Sequence, residues 1–244
     1  MSRAGVQKTL DVSIRHKSYR AASGDRLDVL KDVVFRLEPG EVGAIVGPSG
    51  CGKTTMLRII AGLDSDFEGH IARPASGKLG CVFQEPRLLP WRSVFDNVRL
   101  AAPAASAEEI NALFAMLGLK EHRDHYPGEL SGGLARRVSL ARAFAVAPDL
   151  LMLDEPFVSL DAALAVHLRA ELALLVARKP VTTLLVTHDV EEAITLADRI
   201  FLLSARPAYI IGEVRIDEPR GVRSARASDQ ARVEITRLTA RPQA

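Results

Sequence analysis

Short runs of apolar residues alternate with amphipathic stretches along this chain, as in a protein that places strands and helices in turn. Continuous apolar runs predict buried parallel strands at Val42–Val46, Leu150–Leu153 and Thr183–Val186. Two earlier segments, about Leu10–His16 and Val29–Leu37, are predicted to form an antiparallel pair. This order of elements predicts an α/β fold with a mixed sheet.

Helical periodicity occurs between and after these strands. The apolar residues after the first buried strand predict a helix that ends at Gly62. Two more helices are predicted at Ala107–Leu117 and Leu134–Ala147, joined by the polar segment Lys120–Glu129. A helix over Asp161–Arg178 has a leucine stripe typical of core packing, formed by Leu164, Leu168, Leu172 and Leu175.

The starts of two helices are also marked by capping residues. Ser131 precedes the basic helical stretch Leu134–Arg142 and has the chemistry of an N-cap. Asp189, followed by Glu192, predicts a capping box for a helix after the third buried strand.

These elements predict one domain over residues 1–244, with a helical subdomain inserted at about residues 88–147. Residues 64–78 are short and rich in turn formers. The tail after Pro207 predicts one strand and then sequence rich in Arg, Ser and Ala. We expect this last part, about residues 217–244, to be partly disordered.

Composition narrows the class of protein. The formal net charge is +2 with both signs mixed, so no basic field indicates a nucleic-acid partner. No apolar run approaches the roughly 18 residues that span a bilayer, and Met1–Lys8 lacks the apolar core of a signal peptide. Cys51 and Cys81 are expected to be free thiols of a reducing compartment. We therefore expect a cytoplasmic protein that reaches a membrane only through a partner.

A glycine-rich loop follows the first buried strand and precedes a helix, which is the context of a phosphate-binding loop. Its glycines let backbone N–H groups converge on phosphate oxygens, and the helix N-terminus adds about half a positive charge. Lys53 is predicted to reach the β- and γ-phosphates of ATP, and the Thr54 hydroxyl to ligate Mg²⁺. The predicted nucleotide-binding residues are Gly47, Pro48, Ser49, Gly50, Cys51, Gly52, Lys53, Thr54 and Thr55.

Charged residues end the other two buried strands. Asp154 and Glu155 follow Leu150–Leu153, and His188 follows the strand that ends at Thr187. The carboxyl ends of parallel strands open onto the ligand crevice, so Asp154 is predicted to bind Mg²⁺. Glu155 is predicted to orient or deprotonate the attacking water, and His188 to sense the γ-phosphate.

A second glycine-rich loop is formed by Ser131, Gly132 and Gly133. A helix N-terminus opened by these residues presents free N–H groups, a hydroxyl and a positive dipole end, which together suit an anion. Taken alone, an ordinary capped helix explains the loop as well. With one phosphate loop already present, a two-fold dimer would let each Ser131 loop cover the nucleotide of the other copy.

These residues, in this order, resemble the ATP-binding subunit of ABC transporters over nearly the whole chain. The resemblance rests on the phosphate loop, Gln84, Leu130–Gly133, Asp154–Glu155, Ser159–Asp161 and His188. It implies a P-loop NTPase of the ABC type, with a RecA-like mixed sheet core, an antiparallel β subdomain and an inserted α-helical subdomain.

The resemblance also implies roles for three residues. Gln84 would sense the γ-phosphate, help to hold Mg²⁺ and contact the membrane partner, and Asp161 would bridge the two subunits. Tyr19 stands where the family places an aromatic ring that stacks on adenine. Leu134 departs from the usual Gln, so the affinity or the rate is expected to change while ATP sandwiching survives.

A narrower resemblance covers Phe83–Val98, which is similar to the nitrate, sulfonate and taurine importer branch. Related importers of pyrimidine thiamine precursors share this stretch. Trp91 within it is interpreted either as core or as part of a docking groove for the membrane subunit.

The expected function is that of an importer ATPase. An ATP-dependent homodimer would drive two integral-membrane permease subunits from the cytoplasmic face of the inner membrane, as a peripheral protein. A solute-binding protein would act indirectly. Two alternatives stay open: an importer of another small solute, or a soluble ATP-dependent clamp acting on nucleic acid or ribosomes. The clamp is disfavoured because no heptad run separates the nucleotide motifs.

Overall fold

The computed structural model describes residues 9–20, 24–74, 77–158, 162–178, 181–220 and 222–240. Three strands form an antiparallel sheet in the order β2-β1-β4. They are β1 (Leu10–Arg20), β2 (Arg26–Leu37) and β4 (Glu68–Ala72). β1 pairs with β2 from Leu10 opposite Leu37 to Arg20 opposite Arg26, so the predicted antiparallel pair is confirmed and is longer than expected.

A second sheet has six strands in the order β5-β6-β7-β3-β8-β9. Neighbouring strands are parallel except for β8 and β9, which are antiparallel. The strands are β3 (Val42–Val46), β5 (Leu79–Val82), β6 (Leu150–Asp154), β7 (Thr182–Thr187), β8 (Arg199–Leu203) and β9 (Ile210–Arg215). The three buried strands predicted from apolar runs are therefore β3, β6 and β7, and they are adjacent.

Seven α-helices lie within the described residues. They are α1 (Lys53–Ala61), α2 (Val94–Ala101), α3 (Ala107–Met116), α4 (Gly132–Ala145), α5 (Ala162–Arg178), α6 (Val190–Leu196) and α7 (Ala225–Thr239). Gly62 ends α1 in the left-handed conformation, as the sequence predicted. Helices α2 and α3 both contact α4. All three helices lie between β5 and β6 in the sequence and form one helical layer.

The strands β3, β6 and β7 of the six-stranded sheet are buried on both faces, which explains their continuous apolar runs. Alternate residues of each strand enter two different clusters. In β3, Ala44 packs with the helices α2–α7, while Ile45 packs with α1 and the antiparallel sheet. In β6, Leu151 and Leu153 join the first cluster and Met152 joins the second.

The tail contains a helix that the sequence did not predict, because α7 occupies residues 225–239. Ser224 caps this helix by accepting a hydrogen bond from the Ala227 N–H at 3.2 Å. Ala231, Ile235 and Leu238 are buried, and their spacing places them on one helical face. The arginine- and serine-rich composition concealed that apolar stripe. The last four residues, 241–244, lie outside the described residues.

Further elements that the sequence analysis did not predict are β4, β5, β8 and α2. β4 lies within residues 64–78, where only turns were expected. α2 begins after Ser93, whose hydroxyl accepts from the Asp96 N–H at 3.1 Å. Within the ranges that the structure describes, no helix has the length and apolar character needed to cross a membrane.

Candidate functional site

The glycine-rich loop connects β3 to α1, as predicted. Gly52 has a φ of 124°, a conformation that favours glycine, and a Cβ there would lie 2.8 Å from the Val29 side chain. The Lys53 ammonium lies inside the loop and donates to the carbonyls of Gly47 and Pro48 at 2.9 and 3.0 Å. The loop thus holds a cation that is only 5% exposed.

Thr54 and Asp154 meet at the mouth of this loop. The Thr54 hydroxyl donates to the Asp154 carboxylate, with oxygen distances of 3.2 and 3.5 Å. Burial raises the pKa of Asp154 above its ordinary value. A hydroxyl and a carboxylate are hard oxygen donors of the kind that Mg²⁺ prefers, so these two residues fit that ion.

Glu155 lies between the lysine of the phosphate-binding loop and His188. Its carboxylate is 3.7 Å from the Lys53 ammonium and 3.4 Å from the His188 Nδ1. Its backbone N–H donates to the Val186 carbonyl at 2.8 Å, which links the ends of β6 and β7. Because β3, β7 and β6 are neighbours in the sheet, three distant parts of the sequence converge here.

The predicted capping box after β7 is only half formed. Asp189 caps α6 by accepting from the Glu191 and Glu192 N–H groups at 2.8 and 3.4 Å. The Glu192 carboxylate instead accepts from the Thr187 hydroxyl at 2.6 Å, and that hydroxyl accepts from the Asp189 N–H. Burial of Glu192 favours this local hydroxyl partner over the helix N-terminus.

A cleft of about 500 Å³ opens beside Thr54 and Asp154. It is lined by residues of α1, β5, β6 and the segment after β5, including Gln84 and Arg87. Gln84 therefore shares a cleft with the two predicted Mg²⁺ ligands. Arg87 was not singled out in the sequence, because no spacing rule ties it to Asp154.

The Ser131 loop begins α4. The Ser131 hydroxyl accepts from the Leu134 N–H at 3.3 Å, so the predicted N-cap is confirmed. Ser131 and Gly132 are exposed, and a Cβ on Gly132 would meet nothing within 4 Å. Gly133 is buried against the Leu164 side chain. Ser131–Gly133 do not line the cleft that holds Gln84.

Tyr19 lies near the end of β1, apart from the predicted catalytic residues. Its hydroxyl donates to Asp64 at 2.9 Å, and the Lys17 ammonium lies 4.4 Å from its ring centroid. Lys17 is buried and also donates to Asp64 at 3.0 Å. The ring of Tyr19 is thus fixed by a buried ion pair that sequence analysis missed, since Asp64 lies in the segment that predicted only turns.

The remaining predicted residues are placed as follows. Ser159, Leu160 and Asp161 lie outside the described residues. Cys51 and Cys81 are free thiols, as predicted. Burial raises the pKa of both, to about 11 for Cys81. At neutral pH both thiols are protonated, because burial disfavours the thiolate.

Another contact to the loop comes from far along the chain. Arg206, after β8, donates a hydrogen bond to the Gly50 carbonyl.

Trp91 is 69% exposed, which excludes the interpretation that it belongs to the core. Neither placement follows from a local sequence pattern.

Known proteins match this chain along most of its length. Residues 30–158 match the family model described as ABC transporter. An aliphatic sulfonates import ATP-binding protein of Burkholderia cenocepacia is 41% identical over 219 residues, covering 86% of this chain and 79% of that protein. A protein of the same description from Pseudomonas syringae pv. syringae is 39% identical, covering 94% of this chain and 97% of that protein.

Solved structures agree with these relatives. An ATP-binding cassette in a dimeric post-hydrolysis state, bound to ADP and Pi, superposes with a TM-score of 0.75 at 29% identity. The match covers 86% of this chain and 99% of that one. A second dimeric structure of that cassette, described as a bacterial ABC transporter cassette, gives a TM-score of 0.73.

Proposed function

Because this chain belongs to the ABC transporter family of ATP-binding proteins, we propose that it hydrolyses ATP to energise the import of a small anionic solute, an aliphatic sulfonate foremost. The observation that carries this proposal is the convergence of Lys53, Thr54, Asp154, Glu155 and His188 at the ends of three neighbouring strands. ATP binding and hydrolysis follow from the family.

The chain's own residues divide the work on ATP. Lys53 and the N–H groups of the Gly47–Thr55 loop bind the phosphates, because a buried ammonium and a helix N-terminus favour negative charge. Thr54, Asp154 and Gln84 are the residues that would hold Mg²⁺. When bound, Mg²⁺ would supply positive charge that offsets the charge developing on the phosphates.

Glu155 and His188 act on the attacking water and the γ-phosphate. Glu155 orients the water and takes its proton, since its carboxylate lies within 3.7 Å of the phosphate-binding lysine. His188 lies against the same carboxylate and contacts the terminal phosphate. Tyr19 stacks on adenine, with its ring held by Asp64.

Two copies of the chain close around two ATP molecules. Each contributes the exposed Ser131 and Gly132, with buried Gly133 behind them, to the nucleotide of the other copy. Asp161 contributes to the contact between subunits. The dimeric cassettes among the solved relatives support this arrangement.

The membrane partners are two integral-membrane permease subunits, with a solute-binding protein that delivers the cargo to them. This chain would be a peripheral protein at the cytoplasmic face of the membrane, and exposed Trp91 would lie where a permease docks. Nitrate and taurine are the other cargoes of this branch. An importer of a pyrimidine thiamine precursor is the second candidate, supported only by the shared stretch Phe83–Val98.

The test is to tag this chain, extract it gently from its native membranes and identify the proteins that co-purify. We expect a multi-span permease in equal amount, and a solute-binding protein whose ligand can then be titrated with an alkanesulfonate, taurine and nitrate. A preparation that carries nucleic acid or ribosomes in place of a permease would overturn the transport function. A permease with a binding protein that ignores all three anions would overturn the cargo alone.

A further inference from the structure

Helix α4 binds most of the backbone carbonyls of residues 83–87, which are called the Gln84 loop below. Arg136 of α4 donates from its two terminal nitrogens to the carbonyls of Phe83 and Gln84. Arg142 of the same helix donates to the carbonyls of Arg87 and Pro86 at 2.8 and 2.7 Å. Four of the five carbonyls from Phe83 to Arg87 are thus bonded to α4.

Arg136 is a costly residue to place here. It is 3% exposed, and burial lowers the pKa of its guanidinium. Among the described residues no carboxylate pairs with it, and its Nε has no hydrogen-bond partner. A buried cation is tolerated only where its bonds compensate for lost hydration. The hydrogen bonds to the Phe83 and Gln84 carbonyls supply this compensation. The buried guanidinium and the loop therefore stabilise each other.

The loop itself is stiff. Arg87 has a φ of 47°, a sparsely populated conformation for a residue with a side chain. Its guanidinium carbon lies 4.9 Å from the centroid of the Phe83 ring, so the two ends of the loop contact each other. A displacement of Gln84 is therefore passed to the carbonyls that α4 holds.

The loop and the helix carry groups for two different nucleotides. Gln84 lines the cleft beside Thr54 and Asp154, where this chain's own ATP would bind. Ser131, which would cover the ATP of the second copy, caps the N-terminus of α4. Arg136 lies in the second turn of the same helix, so a continuous hydrogen-bonded segment joins it to Ser131.

We propose that Arg136, supported by Arg142, is a positioning residue that makes the Gln84 loop and the Ser131 end move as one body. ATP in a chain's own cleft then sets where that chain's Ser131 stands over its partner's ATP. This inference rests on the proposed function, because it uses the roles given there to Gln84 and Ser131.

The first measurement is hydrogen exchange of the ATP-free full chain. In Arg136→Gln the backbone N–H groups of Phe83, Gln84, Glu85 and Arg87 should exchange at least about fivefold faster than in the unchanged chain. The matched control is Arg137→Gln. Arg137 is the next residue of α4, but it donates to the Leu117 carbonyl at 3.3 Å and to Glu171 at 2.9 Å. The control should leave exchange at 83–87 unchanged, and equal exchange in both variants would overturn the clamp.

The second measurement is ATP-driven dimerisation by light scattering in a Glu155→Gln background, where hydrolysis is blocked. Arg136→Gln should raise the protein concentration for half-dimerisation by at least about fivefold, the lower end of typical coupling between sites. The affinity for a fluorescent ATP analogue should stay unchanged. Arg136→Lys, which can donate to one carbonyl at a time, should fall between, and it replaces Arg136→Gln if that variant does not fold.

The outcomes separate this inference from the function on which it rests. If Glu155→Gln alone forms no dimer with ATP, the proposed function fails and the coupling fails with it. If that variant dimerises, and adding Arg136→Gln or Arg137→Gln has the same effect, the proposed function stands and the coupling is overturned.

Discussion

At the scale of the residue, the most informative position is Glu155, where chemistry and backbone strain coincide. Its φ of 44° is uncommon for a residue with a side chain. Such strain persists where the surrounding structure enforces it, often at functional sites. Here the hydrogen bond from the Glu155 N–H to Val186 enforces it and directs the carboxylate towards Lys53 and His188.

Asp154 allows a prediction on stability and activity together. Burial raises its pKa in the folded state, so stability falls as pH rises through the range just above the ordinary Asp value. At neutral pH the ionised carboxylate therefore costs stability. Asp154→Asn should raise the melting temperature of the ATP-free protein at pH 7, while ATP hydrolysis falls by about a hundredfold or more.

The measurement is differential scanning calorimetry at pH 7 and near pH 3.5, where the gain should shrink as the carboxyl of the unchanged chain is protonated. Asp217→Asn is the matched control, because that side chain is 89% exposed and loses the same charge. A melting temperature for Asp154→Asn at or below that of the unchanged chain would contradict the argument.

At the scale of the element, the end of α6 is secured by the tail rather than by its own cap. Arg223 donates to the carbonyls of Ile194 and Ala197, the latter at 2.6 Å, and its side chain is 5% exposed. The last carbonyls of a helix have no partner within the helix, so a cation there satisfies them and the helix dipole. α6 begins next to His188, so the tail holds an element of the site.

Arg223→Gln should therefore lower the free energy of unfolding by about 1–3 kcal/mol, the cost of hydrogen bonds to a buried charged donor. Urea denaturation followed by circular dichroism measures it. Arg226→Gln is the control, since Arg226 is exposed in the first turn of α7. Equal midpoints for the two variants would show that the contact to α6 contributes nothing to stability.

At the scale of the whole molecule, the proposed function gives one chain two halves of different nucleotide sites. The Lys53 loop and the Ser131 loop belong to different layers, and the cleft beside Asp154 is lined without Ser131–Gly133. Under the proposed function, closure of two copies would bring these halves together, as the dimeric cassettes that share this fold suggest.

This arrangement predicts opposite effects of two substitutions. Glu155→Gln should hold ATP in a stable dimer seen by light scattering, because closure occurs and hydrolysis does not. Adding Ser131→Arg should restore the monomer, since a long side chain fills the open space above Gly132 and the hydroxyl is lost. Binding of a fluorescent ATP analogue should stay within about threefold, a free-energy change below 1 kcal/mol. A persistent dimer would contradict closure across the Ser131 loop.

The sequence by itself determined the elements with strong local patterns. β3, β6 and β7 follow from apolar runs buried on both faces, and α1 from the loop before it and Gly62 after it. The family could be identified from short motifs. In the Gly47–Thr55 loop, for example, the backbone N–H groups, a lysine and a hydroxyl that suit a phosphate are close together in sequence. Patterns diluted by charge were missed, as in α7, or misjudged, as with the partner of Glu192.

Only the tertiary structure decided which groups contact one another across the chain. The order β6-β7-β3 brings Glu155, His188 and Lys53 together, and the fold places Arg136 against Gln84 and Arg206 against Gly50. No local rule gives these pairs, because side chains far apart in sequence meet through packing of the sheet and its helical layers. Short sequence motifs thus determined that this chain binds ATP, and tertiary packing determined which distant side chains contact one another.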